Sequence, residues 1–95
     1  MTNPQLIHLA KFAGLKYRLV MDILQIEYYG SAAEHSRNFL FAVWQKYRDI
    51  DRSQWNHKKE SQYVSDRGRI EFAILNQSIE QALTLLSESI NKLEL

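Results

Sequence analysis

Apolar side chains recur every three or four residues along most of the chain, and the strict alternation typical of half-buried strands is nowhere sustained. Asn3 followed by Pro4 is typical of a helix start, because asparagine caps a free amide and proline has no amide to leave unpaired. Gly30 is typical of a helix end, since glycine adopts the left-handed conformation without a steric penalty. The pattern therefore predicts one helix over residues 4–29. Its narrow polar stripe consists of His8, Lys11, Gly14, Arg18, Asp22 and Gln25.

A second helix is predicted from the capping box Ser31–Glu34 to about Ile50. In such a box the serine accepts from the glutamate amide while the glutamate side chain reaches back to the serine amide. One face of this helix is apolar and the opposite face is polar, which indicates packing against a core. The apolar face consists of Phe39, Leu40, Val43, Trp44, Tyr47 and Ile50.

The rest of the chain predicts a short third helix over residues 55–63, capped by Asp51 or Ser53, and a long fourth helix over residues 65–94. The long helix carries an apolar stripe of Phe72, Leu75, Ile79, Ala82, Leu86 and Leu93, with Leu83 and Ile90 beside it. Three further apolar residues fall on the opposite side of the same helical wheel, and they are Ile70, Ile74 and Leu85. A second packing partner is therefore expected.

Three glycines and one proline in 95 residues are too few for an all-β chain with many tight turns. The predicted fold is all-α, a single domain over residues 1–95 built as a small bundle of three to four helices with a long C-terminal helix. A chain of this size buries only about two thirds of its unfolded surface. We therefore expect a homo-oligomer or a complex with a protein partner. The expected contacts between chains are Ile70, Ile74, Leu85 and Phe41.

Composition narrows the class further. The chain is 45% hydrophobic and 24% charged, which excludes the composition of a disordered segment. It has no cysteine, which excludes disulfides, thiolate metal sites and a cysteine nucleophile, and which fits a reducing compartment. Neither a signal peptide nor a run of about 18 apolar residues is visible, so we expect a cytoplasmic protein without membrane contact.

Positive charge concentrates in residues 46–69, where it alternates with aromatic side chains, although the net charge of the chain is only +1. Basic groups beside aromatic rings can hold phosphates and stack bases. Contact with nucleic acid is therefore an alternative function. Its candidate residues are Lys16, Arg18, Arg48, Arg52, Lys58 and Lys59.

A second nucleic-acid hypothesis concerns the segment Leu6–Gln25. It has a small residue, a glycine and five apolar residues at set spacings, namely Ala10, Gly14, Leu9, Ala13, Leu15, Val20 and Ile23. In these positions the segment resembles the helix-turn-helix of LacI-like bacterial repressors. The resemblance implies a recognition helix in which Arg18 reaches a guanine edge and Lys16 a phosphate. Leu19 and Met21 depart from it, because such a helix prefers polar groups there. The single helix over residues 4–29 is the competing interpretation.

Arg52 and His57 are spaced as in the R-x4–6-H motif, and the stretch is similar to that of HEPN-type ribonucleases, which are small dimeric all-α domains. The resemblance implies that the arginine and histidine of two chains meet to bind phosphate and cleave RNA by acid–base chemistry. Ser53 departs from the polar amide common after the motif arginine. The three histidines show no metal-ligand spacing, so no metal site is predicted. No cofactor and no catalytic residue are predicted either.

The leading functional prediction is a non-enzymatic helical-bundle interaction protein of the small regulator, adaptor, immunity or complex-subunit type, acting by binding a protein partner. The first alternative is a nucleic-acid-binding regulator that uses residues 6–25 or 46–69. The second alternative is a HEPN-like ribonuclease that uses Arg52 and His57.

Overall fold

Four helices and one two-stranded hairpin make up the described part of the chain, residues 1–27 and 33–93 of a computed structural model. The small helical bundle predicted from the sequence is confirmed, with the hairpin as an addition. In chain order the elements are α1 (Asn3–Ala13), β1 (Tyr17–Val20), β2 (Ile23–Ile26), α2 (Ala33–Arg48), α3 (His57–Asn76) and α4 (Ile79–Lys92).

The first helix is much shorter than predicted, so both the single helix over residues 4–29 and the helix-turn-helix are wrong. Thr2, rather than Asn3, caps α1 and forms a reciprocal capping box with Gln5. The helix ends because Gly14 adopts a left-handed conformation with φ of 72°, and its amide donates to the carbonyls of Ala10 and Lys11. Aromatic and β-branched residues then favour strands.

The hairpin turns through Met21 and Asp22, whose φ angles are 51° and 65°. Two successive left-handed residues are the geometry of a tight type I′ turn, which is usually made by Asn-Gly or Asp-Gly. Aspartate tolerates this region, whereas methionine rarely adopts it. The sequence therefore lacks the usual hairpin signal at the position where the chain turns. The strands pair antiparallel, with Tyr17 opposite Ile26.

Helix α2 presents the apolar face that the sequence predicts, which confirms that assignment. Its buried residues are Phe39, Leu40, Val43, Trp44 and Tyr47. The helix ends at Arg48 instead of Ile50. The predicted helix stop at Gly30 and Ser31, the capping serine of the predicted box Ser31–Glu34, lie outside the described residues.

The predicted division of residues 55–94 into a short and a long helix is wrong. Asn56 caps α3 by accepting from the Lys59 amide at 2.8 Å, and α3 continues to Asn76. Ser78 then caps α4 and forms a second capping box with Gln81. A serine followed three residues later by glutamine satisfies the free amides of a new helix, and this favours a break over a continuous helix.

The break changes which side of residues 70–76 faces the core. Phe72 and Leu75, which the single-helix pattern places in the core stripe, are 58% and 73% exposed. Ile70, which the same pattern assigns to contact with another chain, is buried in the core of its own chain. The apolar stripe predicted for the residues of α4 is confirmed, because Ala82, Leu83, Leu86 and Ile90 are all buried.

Helix α4 is the centre of the fold, since it packs against both α2 and α3, while α1 packs on α2. A buried set of hydrogen bonds ties three helices together. The Tyr47 hydroxyl donates to Ser89 Oγ at 2.8 Å, and Ser89 Oγ donates to Asp66 Oδ2 at 3.1 Å. The Tyr63 hydroxyl donates to the Tyr47 carbonyl at 2.8 Å. Along the described ranges, no helix combines the length and the apolar character that crossing a membrane requires.

Candidate functional site

The two faces of the hairpin carry different side chains because neighbouring residues of a strand point to opposite sides. From the strand register, one face holds the pairs Tyr17–Ile26 and Leu19–Leu24. The other face holds the pairs Arg18–Gln25 and Val20–Ile23. Arg18 Nε donates to Gln25 Oε1 at 2.7 Å across the strands.

The base of the hairpin is attached to the helical core. Ile26 is buried in the core cluster and Leu24 packs partly against it. The Leu15 amide donates to the Ala10 carbonyl at 2.8 Å, which fixes the path of the chain from α1 into β1. The Lys11 ammonium lies 6.0 Å from the centre of the Tyr17 ring. The hairpin therefore leaves the core from a fixed base.

The distal part of the hairpin is apolar on both faces and exposed. We call Leu19, Val20, Met21 and Ile23 the hairpin tip, and they are 58%, 41%, 91% and 64% exposed. Asp22 lies at the turn among them and is also exposed. Single exposed apolar residues are ordinary, but a contiguous patch is typical of an interaction surface. A two-stranded hairpin is also marginally stable by itself.

A second surface, partly apolar and partly charged, lies between α2 and α3. We call it the α2–α3 groove, and its volume is about 340 Å³. Phe41 and Leu75, which are 46% and 73% exposed, contribute to its apolar part. The complete lining is Phe41, Trp44, Arg48, Arg67, Glu71, Ile74 and Leu75.

The structure separates the four residues predicted to contact another chain. Phe41 and Ile74 line the α2–α3 groove. Leu85 lies elsewhere, beside Phe72 in a shallow depression of about 540 Å³ between α3 and α4. Ile70 is buried and offers no surface to a second chain. The hairpin tip was missed because its residues were assigned to a helix, although the β-branched and aromatic residues at 17, 20, 23 and 26 were the available signal.

The candidate nucleic-acid contacts are distributed over two regions. Lys16 precedes β1 and Arg18 lies within it, so neither belongs to a recognition helix. Arg48 lies 6.0 Å from the Trp44 ring centre and Lys59 lies 4.8 Å from that of Trp55. Lys58 is exposed in the first turn of α3. Together with Arg52, three of the six candidate cations therefore lie over aromatic rings of their own chain.

Arg52 and His57, the residues of the HEPN-like motif, are in different environments. Arg52 Nη1 donates to Glu60 Oε1 at 2.8 Å, and its guanidinium lies 4.9 Å from the Tyr63 ring centre. His57 is exposed at the first position of α3. Arg52 thus pairs with a carboxylate and an aromatic ring in its own chain.

The perturbed tyrosines belong to the core and not to a cleft. Burial raises the pKa of Tyr47 to about 12, although its hydrogen bond with Ser89 acts in the opposite direction. Burial also raises the pKa of Tyr63, while the nearby Arg67 and Arg52 act to lower it. Both hydroxyls are used in hydrogen bonds that hold helices together.

Across residues 1–27 and 33–93, no group of three or more histidine, aspartate and glutamate side chains is arranged to hold a metal ion. Comparison with protein families, with curated proteins and with solved structures finds no match for this chain.

Proposed function

We propose that this protein is a non-enzymatic interaction protein that binds a protein partner through its hairpin tip. The observation that carries the proposal is the exposure of Leu19, Val20, Met21 and Ile23 on a hairpin whose base is fixed in the core. Apolar side chains at the tip do not pack in the core. The free energy gained by burying them therefore favours binding.

The size of the tip supports binding to another macromolecule. Four exposed apolar side chains present on the order of 400 Å² of surface, which is as large as the largest patch on a typical monomer. At about 25 cal/mol per Å², burying that surface is worth about 10 kcal/mol before the cost of association is subtracted. Both faces of the tip are apolar, so a groove covers more of it than a flat surface does.

The chemistry of the tip favours a protein over a polyanion. Asp22 places a negative charge at the turn, the part of the hairpin that projects furthest along the strands. This carboxylate repels phosphates and anionic lipids at the turn, whereas the exposed cations Lys16 and Arg18 lie nearer the base of the hairpin. A protein groove with basic residues at its edge accepts both the apolar side chains and the carboxylate.

Photo-cross-linking in the native host tests the proposal. A photoreactive amino acid at Met21 is expected to give protein adducts of discrete mass, with a second copy of the chain counted as a partner. The same amino acid at Gln54, an exposed residue of the connection between α2 and α3, is the matched control. Absence of adducts at Met21, or identical adducts at both positions, would contradict the proposal.

A further inference from the structure

The hairpin tip and the α2–α3 groove have complementary chemistry on one chain. The tip presents a flexible thioether at Met21 and a carboxylate at Asp22. The groove presents Phe41, Ile74 and Leu75 as apolar lining and Arg48 and Arg67 as cations, with Glu71 as the opposing charge. Within the described residues, Asp22 takes part in none of the ion pairs.

We infer that the partner of the hairpin tip is a second copy of this chain, whose α2–α3 groove it enters, and that the two chains make this contact reciprocally. The inference rests on the proposed function, because it names the partner of the same tip. Met21 enters the apolar lining and Asp22 pairs with Arg48. By two-fold symmetry the second hairpin occupies the groove of the first chain in the same way.

The volume of the groove supports this occupant. About 340 Å³ is at the lower limit of pockets that hold a small-molecule ligand, and it has room for a few protein side chains. Methionine is unbranched and adapts to irregular apolar surfaces. The tight turn brings only two residues to the end of the hairpin, so a narrow groove can admit it.

The charges fix the orientation of the contact. The cations of Arg48 and Arg67 outnumber the carboxylate of Glu71, so the groove attracts the carboxylate of Asp22. A head-to-head contact between two hairpin tips would instead bring the two Asp22 carboxylates together, which is unfavourable. The tip therefore pairs with the groove and not with another tip.

The area supports a reciprocal contact. One tip in one groove covers less than the roughly 1,200–2,000 Å² of a stable specific interface. Two symmetric contacts double the area that one contact buries. Because tip and groove lie on the same chain, a second copy supplies both contacts without any additional surface.

The backbone at Met21 places its side chain for this contact. Its φ of 51° belongs to the type I′ turn, which puts residue 21 at the end of the hairpin. In the single chain, Met21 is 91% exposed. Insertion into a groove covers this side chain.

Two charge reversals and their mixture test the inference. Sedimentation velocity from about 1 to 300 µM is expected to show a wild-type dimer. Asp22→Arg and Arg48→Glu each place like charges at both contacts and are expected to raise the dimer Kd roughly tenfold or more. Mixing the two variants is expected to restore a one-to-one dimer. In the mixed dimer one contact pairs the two substituted residues, and the other pairs wild-type Asp22 with wild-type Arg48.

Matched controls separate this pairing from general charge effects. Glu88→Arg on α4 and Lys58→Glu on α3 change the same net charge at exposed positions outside both surfaces, and they are expected to leave the dimer unchanged. Circular dichroism checks the fold of each variant. The neutral changes Asp22→Asn and Arg48→Ala, which are expected to weaken the dimer less, replace any reversal that fails to fold.

Each other outcome overturns the inference in a recognisable way. A wild-type monomer over the whole range, combined with Met21 adducts to a different protein, rejects the second copy and leaves the proposed function intact. A dimer insensitive to both reversals, combined with no Met21 adducts, rejects both. Two monomeric variants that fail to associate when mixed reject the pairing of Asp22 with Arg48.

Discussion

Apolar side chains are buried in the core formed by α2, α3 and α4, whereas in the hairpin most of them are exposed. In the core, Leu86 and Phe39 are completely buried, and even the polar groups of Tyr47 and Ser89 are hydrogen-bonded to each other. In the hairpin, apolar residues project from both faces beyond a small fixed base. The difference indicates that the core is built for the stability of the chain, whereas the tip is available for contact with something else.

The largest expected effect contrasts one leucine from each region. Leu86→Ala removes a side chain from the centre of α4 and leaves a cavity, so we expect it to lower the free energy of unfolding by about 2–5 kcal/mol. Leu19→Ala in the hairpin tip removes exposed surface and is expected to cost less than about 0.5 kcal/mol. Urea denaturation at low protein concentration measures both. Similar losses for the two variants would contradict the contrast.

The next largest effect is alkaline destabilisation through Tyr47. Its pKa is raised to about 12 by burial, above the unfolded value of about 10, because the folded state disfavours the ionised form. The stabilisation is complete below pH 10 and is lost as pH rises from 10 to 12, by about 2–3 kcal/mol. Urea midpoints measured across this range should fall less steeply for Tyr47→Phe, while Tyr17→Phe in the hairpin should follow the wild type. Identical slopes for Tyr47→Phe and wild type would refute the assignment.

A buried and an exposed serine give the third test. Ser89→Ala removes the group that joins the Tyr47 hydroxyl to the Asp66 carboxylate, so two buried polar atoms each lose a hydrogen bond. The expected loss is about 1–3 kcal/mol. Ser61→Ala on the exposed side of α3 is the control and is expected to change stability by less than about 0.5 kcal/mol. If both changes are neutral, the hydrogen bonds do not join the three helices as described.

Two glycines provide the smallest effect on stability, and the expected signs are opposite. Gly14→Ala forces a side chain into the left-handed end of α1, at a cost of about 1 kcal/mol. Gly68→Ala lies within α3, where an added Cβ meets nothing within 4 Å, so it is expected to stabilise the protein by about 0.5–1 kcal/mol. Thermal unfolding of the two variants compares them directly. Stabilisation by Gly14→Ala would restore the interpretation of residues 4–29 as one helix.

The two regions also differ in how far the sequence predicts them. The apolar face of α2 was predictable because burial on one side imposes a spacing of three and four residues. The hairpin was harder to predict, because its β-branched and aromatic residues favour strands but Met21 and Asp22 replace the usual turn residues. The polar residues 14, 18, 22 and 25 also fit helical spacing, even though Arg18 and Gln25 face each other across two strands.

The break before α4 was predictable in principle. Ser78 and Gln81 form the same kind of capping signature that the sequence shows at Ser31–Glu34, but the apolar spacing on both sides of Ser78 favoured a continuous helix. A single continuous helix across Ser78 places Phe72 and Leu75 in the core and Ile70 on the surface. The break reverses these two sides. The α2–α3 groove could not be predicted, because it depends on how two helices separated in sequence lie around α4.

The most direct test of the central claim measures association and stability on the same tip variant. Ile23→Ser reduces the apolar surface of the tip without changing its charge or the residues of the turn. We expect a dimer Kd at least about tenfold weaker in sedimentation equilibrium, and an unfolding free energy within about 0.5 kcal/mol of wild type at concentrations where both are monomeric. A variant that loses several kcal/mol of stability, or that associates as tightly as wild type, would contradict the claim that the hairpin tip serves binding instead of the fold.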